Sequence, residues 1–381
     1  MTTDIPFANP HAAFAERRLE ILEAVTRVLD GGQYILGPEV TNFENDFAAW
    51  LGRARCIGCG NGTDALELAL RALGVGPGKA VFTVSHTAVA TVAAIERAGA
   101  VPVLVDIDEA NYTMSADSLA EAVRHFRRTC PTVTPTAVIP VHLYGHPCHM
   151  DAIMSVAAAE GLVVVEDCAQ AHGARYNGKM VGSFGVAAAF SMYPTKNLGA
   201  LGDAGAVATN DQALAEELLA LRQYGWKERY ISSASGINSR LDPVQAAILG
   251  VQLRYLDEDN ARRRKLAAAY SHALAGCGLA LPLSAPWAEP VFHLYVARCR
   301  EGRDNLRAFL RERGIGTAVH YPLPVHLQPA YRQRILTGPD GLPITERIAL
   351  QIVSLPMFPQ LEEEAVARVC SAVEQWTAAG A

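Results

Sequence analysis

The sequence predicts an α/β protein: a mostly parallel central sheet flanked by helices, with a smaller C-terminal α/β domain. Three observations carry this. Short apolar runs recur between residues 55 and 209, separated by segments of helical period. Strands that alternate with helices in this way build parallel sheets through right-handed crossovers. The runs are also continuous, not alternating: Leu162-Val163-Val164-Val165 has the length and β-branching of a strand buried on both faces. Finally, 381 residues exceed one typical core and predict two domains. Residues 1–250 read as the large domain and 251–381 as the small one.

Composition narrows the function. Half the residues are apolar and 19% are charged, as in soluble globular proteins. A net charge of -6 gives no basic footprint for nucleic acid and disfavours an anionic membrane surface. No apolar stretch approaches the length of a membrane span. The opening residues lack the basic-then-apolar layout of a signal peptide, so a cytoplasmic location is expected. Eight irregularly spaced cysteines suit reduced thiols better than a disulfide framework.

Residues 11–30 carry a helical pattern, with Phe14, Leu19, Leu22, Val25 and Leu29 as the apolar face and Asp30-Gly31-Gly32 as the stop. A short loop containing Tyr34 follows, then a helix with Val40, Phe43, Phe47 and Trp50 on one face. Cys56 and Cys59 form a Cys-x-x-Cys pair with no second pair at zinc spacing, and read as small strand-end residues. Gly60-Asn61-Gly62-Thr63-Asp64 enters the next helix. Free N–H groups at a helix start, with the macrodipole behind them, make an anion site. The glycines let a phosphate approach, and Thr63 or Asp64 is expected to cap the helix. An ordinary capping loop has the same composition.

Residues 80–106 read as strand, loop, helix, strand, with His86 in the loop. Residues 137–148 are a strand and loop. His142, His146, Cys148 and His149 crowd there, but match no common metal spacing and lack acidic ligands. His142 and Tyr144 read as lining the strand end. Met150 to Glu160 is an alanine-rich helix.

The stretch from Gly161 to Val207 is the chemical centre. The valine run ends in Glu166 and Asp167, and Tyr176-Asn177-Gly178-Lys179 is a hairpin signal. A second apolar run, Val186 to Phe190, leads into Ser191. Lys196 then sits just ahead of Gly199, Gly202 and Gly205. A lysine amine can form a Schiff base with an aldehyde cofactor. Pyridoxal 5′-phosphate (PLP) needs that lysine, an acid for its pyridinium nitrogen and a cradle for its phosphate. Lys196 fits the amine, Asp167 the acid, and Ser191 a phosphate hydroxyl. A solvated loop lysine and a helix-capping aspartate have the same local sequence.

Beyond it, residues 211–223 are a helix and 225–240 a polar loop too long for a simple connector. One long helix is expected from Pro243 to about Leu274, then strands at 291–299 and 315–319 around a helix at 304–313. A proline-stiffened segment runs from His320 to Tyr331, and the last helix carries Val366, Val369, Val373 and Trp376.

Several of these blocks recur together elsewhere. EDCAQAHGA followed by SMYPTKNLGALGDAG resembles the cofactor-lysine region of the DegT/DnrJ/StrS-type sugar-nucleotide aminotransferases, which are fold type I PLP-dependent transferases. The opening GQYILGPEV, the GTDAL turn and the INSRLD block resemble the same family in the same order. The resemblance implies catalysis by Lys196 and Asp167. It puts the phosphate on the Gly62-Thr63-Asp64 turn, at the amides of Thr63 and Asp64, and with Ser191. It gives Gln170 the phenolic oxygen, with His172 in the same neighbourhood. It implies that Asn238 crosses to a neighbour's phosphate in a homodimer with shared active sites. In many relatives an aromatic residue stands where Ala88 stands and stacks on the ring. Here either His86 stacks instead, or the ring is held differently. His86 also fits a simple loop cap.

The His320-Tyr321-Pro322 block resembles the branch acting on dTDP-3-keto-6-deoxyhexoses. It implies that His320 and Tyr321 lie near a nucleotide-linked keto sugar, with Tyr34 at the active-site mouth. The expected donor is L-glutamate, with pyridoxamine phosphate formed between the two half-reactions. In the sugar-dehydratase branch histidine replaces the lysine, so Lys196 argues against that outcome. Two alternatives stand: an aminotransferase for another cyclic ketone of aminocyclitol type, and a non-catalytic regulatory or scaffold protein.

Overall fold

The computed structural model describes residues 4–379. Its centre is an eight-stranded sheet. The strands run, edge to edge, Arg55–Cys59, Gly205–Thr209, Ala187–Ser191, Val163–Asp167, Thr134–Val138, Lys79–Val84, Val101–Val105 and Leu336–Thr337. Only the two pairings made by Gly205–Thr209 are antiparallel; the other five are parallel. Burial follows the apolar runs: Val164 and Val165 are buried, and Phe82, Ala188 and Val207 are completely so. The Asn177-Gly178 hairpin forms with both residues at positive φ, 48° and 74°, the geometry that matches the twist of the flanking strands.

A second hydrophobic cluster lies in the C-terminal part. Tyr270 and Tyr295 pack at its centre with tilted rings, centroids 4.8 Å apart, among Leu306, Leu310, Val353, Val369 and Val373. Ile5 belongs to this cluster. It exchanges backbone hydrogen bonds with Gly314 and Gly316, both 2.8 Å.

Four local expectations are corrected. The 11–30 helix is two helices, Pro10–Glu16 and Arg18–Gly31, broken at Arg17. The buried Arg17 side chain turns inward, donating to Asp259 at 2.7 Å and to Gln252. The face of Arg18–Gly31 that packs is Ile21, Ala24 and Val28. Leu19, Leu22 and Leu29 are 75%, 47% and 59% exposed, so this helix is apolar on two opposite faces. The long helix also breaks, at Arg254-Tyr255, into Pro243–Leu253 and Leu256–Ala273. Residues 315–319 form only single bridges, Ile5 with Ile315 and Ala318 with Ser354. The strand Leu336–Thr337 was not anticipated. It carries the C-terminal part back onto the edge of the large sheet beside Val101–Val105.

The strand Val163–Asp167 ends in two carboxylates on opposite faces, because successive side chains of a strand alternate. Glu166 faces the turn at 182–185. It accepts the amides of Gly182 (2.7 Å), Phe184 (2.7 Å) and Gly185 (2.8 Å), and pairs with His142 Nε2 at 3.1 Å. Arg53 donates to the carbonyls of Gly182 and Gly185 in the same turn. His142 Nδ1 accepts the Cys148 amide, so Nε2 carries the proton it gives to Glu166. Glu166, His142 and Cys168 have ligand-type atoms within 4.8 Å of one another. Their chemistry is nevertheless that of a hydrogen-bond junction. Both imidazole nitrogens are engaged, and burial pushes the Cys168 thiol to about 12, keeping it protonated.

Burial raises the pKa of Glu166, but His142 and the backbone amides outweigh it and hold the carboxyl below its ordinary value. Glu166→Gln sets an amide NH2 against backbone donors and is expected to cost about 3 kcal/mol at neutral pH. A depressed carboxyl stabilises the fold above its unfolded pKa, and that stability is lost as pH falls through the folded value. The gap between wild type and variant, read by urea unfolding, therefore closes in acid.

Candidate active site

Asp167, on the other face of the same strand end, opens into a cleft of about 560 Å³. Its Oδ2 accepts the Thr91 hydroxyl at 2.9 Å and its Oδ1 the Ala169 amide at 3.1 Å. Thr91 is itself held by Thr87 at 2.9 Å. Lys196 reaches the same cleft from the loop after Ala187–Ser191. That loop folds tightly: the Lys196 amide bonds the Tyr193 carbonyl, and Ala200 returns to Met192. Gly199 is required there, since a Cβ would lie 2.6 Å from the Pro194 oxygen.

The two groups tune each other. Burial lowers the Lys196 pKa to about 8, and the Asp167 charge works against that fall. Burial raises the pKa of Asp167, with the Ala169 amide, Thr91 and Lys196 pulling the other way. An amine near 8 is roughly one-tenth unprotonated at pH 7, far more than an ordinary lysine, and the unprotonated form is the one that acts as nucleophile and base.

At the far end of the cleft lies the start of the helix Gly62–Ala72. The cap is Asn61, whose side chain accepts the Asp64 amide at 2.9 Å; the expectation of Thr63 or Asp64 as cap is corrected. The Asp64 amide is therefore occupied, and the helix amides without an internal acceptor are those of Gly62 and Thr63. Ser191 closes the cradle. A Cβ on Gly62 would lie 2.5 Å from the Ser191 Cβ, so only glycine lets the helix start sit against that strand end. Ser239 braces the turn, accepting the Gly60 amide at 2.9 Å and donating to Asp64 at 2.7 Å.

On the third side, Gln170 Oε1 accepts the Tyr144 amide at 2.7 Å and its Nε2 donates to the Tyr321 hydroxyl at 3.0 Å. Burial pushes the Tyr321 phenol to about 12. It stays protonated, with its O–H free to donate into the cleft. His320 lines the cleft as well. Its Nδ1 pairs with Ser354 at 2.9 Å and its carbonyl takes the Tyr144 hydroxyl. Burial, with Lys196 adding repulsion, lowers the His320 pKa to about 4.

Gly62, Thr63, Asp167, Gln170, Ser191, Lys196, His320 and Tyr321 thus meet in one cleft. Asp64 stands behind its wall. His86 does not line it: the ring is fully buried, with Nε2 on the Tyr144 hydroxyl at 2.8 Å. Thr87 and Ala88 face the cleft instead. His172 is buried behind Phe190, outside the lining. Tyr34 is 57% exposed, bonded to the Leu29 carbonyl. Asn238 is exposed and outside its own chain's cleft.

Two lining residues carried no local sequence signal. Thr91 is in the first turn of an ordinary helix, Val89–Arg97. His293 arrives from the C-terminal part, with Nδ1 on Asn197 Oδ1 at 3.2 Å. Asn197 is fixed in turn by Asn260 at 2.8 Å.

The set fits PLP. It offers a buried amine of lowered pKa, a braced buried carboxylate, and a helix start whose glycine a Cβ would block.

Comparison with known proteins agrees. Residues 16–374 match the model of the DegT/DnrJ/EryC1/StrS aminotransferase family. The chain is 47% identical to the dTDP-3-amino-3,4,6-trideoxy-alpha-D-glucose transaminase of Streptomyces venezuelae, covering 98% of this chain and 97% of that one. It is also 47% identical to the erythromycin biosynthesis sensory transduction protein EryC1 of Saccharopolyspora erythraea, over 97% and 99%. The crystal structure of S. venezuelae DesV with a ketimine intermediate superposes with a TM-score of 0.92 at 46% identity, covering 99% of each chain.

The mutual tuning gives a signed expectation. Asp167→Asn removes the charge that supports the ammonium form, so the Lys196 pKa falls below about 8. The pH dependence of amine acylation in the cofactor-free protein measures this. A value that stays put or rises would show that the two groups do not interact.

Proposed function

The chain belongs to the DegT/DnrJ/EryC1/StrS aminotransferase family, and from that premise we propose that it transfers an amino group from L-glutamate to a dTDP-linked 3-keto-6-deoxyhexose in amino-sugar biosynthesis. The observation that carries the reading is the buried Lys196–Asp167 pair in a cleft closed by the Gly62-Thr63 helix start. The name of the S. venezuelae relative supports the sugar, and the His320-Tyr321 pair lining the cleft gives it polar groups to meet.

Bound here, PLP supplies an aldehyde that takes up the amine and a ring that accepts the electron pair of a breaking C–H bond, alternating with pyridoxamine phosphate. The protein does the rest. Lys196 would hold the cofactor and, once freed as an amine, would take or give the proton at the substrate carbon. Asp167, fixed by Thr91, keeps the ring nitrogen protonated. The Gly62 and Thr63 amides and the Ser191 hydroxyl hold the phosphate. Gln170 has a second amide hydrogen beyond the one given to Tyr321, which suits the phenolic oxygen. The Tyr321 hydroxyl donates toward the sugar. His86, buried against Tyr144, is not placed to hold the ring, and Thr87 and Ala88 line the cleft in its stead.

We further propose a cytoplasmic homodimer with shared active sites. The exposed apolar face of Leu19, Leu22 and Leu29, continued by Tyr34 and Ile35, is the kind of surface that a second copy covers. Asn238 of the partner subunit would then complete the phosphate site. Among the described residues, no helix is long and apolar enough to cross a membrane.

Purified wild type is expected to show a visible absorbance band that L-glutamate bleaches, and Lys196→Ala is expected to be unable to complete that half-reaction. No band after reconstitution with PLP would make the scaffold reading the better one. Leu19→Glu is expected to shift the protein from dimer to monomer in size-exclusion chromatography and to abolish turnover. An unchanged elution volume would remove this face from the interface.

A further inference from the structure

An aminotransferase must seat two unlike substrates at one carbon. Among the described residues, the cations lining the main cleft are Lys196 and Arg97. Arg97 is already held by Asp64 at 3.0 Å and Glu67 at 2.7 Å. That cleft therefore offers an acidic amino donor no uncommitted positive group of its own chain beyond the reactive lysine.

A second cavity of about 200 Å³ adjoins it, sharing Thr195, Lys196, His293 and His320 as walls. Its other walls come from the N-terminal segment, the helix Leu256–Ala273 and residues 357–360. Here Arg263 is 5% exposed. Its Nη1 is shared among the carbonyls of Phe292, His293 and Met357 at 3.2–3.3 Å, and its Nε has no partner. The nearby carboxylate, Asp259, gives one oxygen to Arg17 at 2.7 Å, and its other oxygen is unpartnered. Burial lowers the Arg263 pKa to about 10, with Asp259 only partly opposing it. Arg17 and Arg263 against Asp259 leave the cavity with a net positive charge beside Lys196. A buried cation with idle donors favours an anion of matching geometry.

We propose that this cavity receives the side-chain carboxylate of a dicarboxylic amino donor, with Arg263 as its anchor, while the nucleotide sugar occupies the main cleft alone. The inference rests on the aminotransferase reading and adds to it the place where the donor is recognised. Lys196, His293 and His320 lie between the two sites, so donor and acceptor approach the reacting carbon from different sides.

Ala13 lines the same cavity as Arg263, and Ala13→Leu fills it while removing none of the arginine's hydrogen-bond partners. In the holoenzyme this variant is expected to raise the KM for L-glutamate at least about tenfold and to leave the KM for the keto sugar unchanged. Glutarate, titrated calorimetrically, is expected to bind wild type and to bind Ala13→Leu at least about tenfold more weakly. Should the leucine perturb the N-terminal helix, Arg263→Gln is read in the same way, with circular dichroism confirming the fold. Unchanged glutamate KM and glutarate affinity in a folded variant would overturn the proposal. So would L-alanine serving as donor with the KM of L-glutamate. Failure of the underlying reading looks different: wild type would show no spectral change with any amino acid, while glutarate binding would still report on the cavity.

Discussion

A carboxylate and an amine withdrawn from water hold this molecule's chemistry in place. Asp167 and Lys196 come from different strand ends, and neither would keep its charge comfortably at that depth alone. Burial pushes the acid up and the amine down, and each partly restores the other. Everything around them fixes that opposition. Thr91 orients one carboxylate oxygen, the Ala169 amide the other, and the tight Met192–Ala200 loop aims the lysine. One residue earlier, Glu166 pins the opposite face of the same strand to the 182–185 turn. Two consecutive acids thus do unlike work, because the strand turns successive side chains apart: one holds the fold, the other faces the cleft.

Much of this was legible in the chain. The strands could be read because a parallel sheet covered on both faces demands continuous apolar runs, and Val163–Asp167 is such a run. Asp167 and Ser191 could be singled out because each stands at the end of one, and Lys196 because it follows the second just ahead of Gly199, Gly202 and Gly205. The capping residue was misassigned by two or three positions: in Gly60-Asn61-Gly62-Thr63-Asp64 three side chains can cap a helix, and only geometry selects Asn61. The packing face of Arg18–Gly31 was inverted for a related reason. A helix apolar on two sides gives one periodic signal, and sequence does not say which side meets its own chain.

What lay beyond reading was whatever tertiary contact supplies. Thr91 is an unremarked helix residue until the strand end with Asp167 is laid against it. His293 is almost a hundred residues from Lys196 and meets it through Asn197 and Asn260. His86 sits in a loop whose neighbours line the cleft, yet its ring turns into the core toward Tyr144. Tertiary packing against Tyr144 decides that, and composition does not record it.

Ile5 has a consequence in time. Its bridge to Ile315 and its place beside Val353 and Val369 join a segment made early to segments made much later. Residues 7–14 and 357–360 then enclose one side of Lys196 together. The large sheet can assemble during synthesis, since domains generally fold as units as they emerge. The wall behind the lysine must wait until residues 357–360 have been made. A nascent chain can thus bury its strands early while the Lys196 amine stays open to solvent, and the finished chamber appears only once both segments are present.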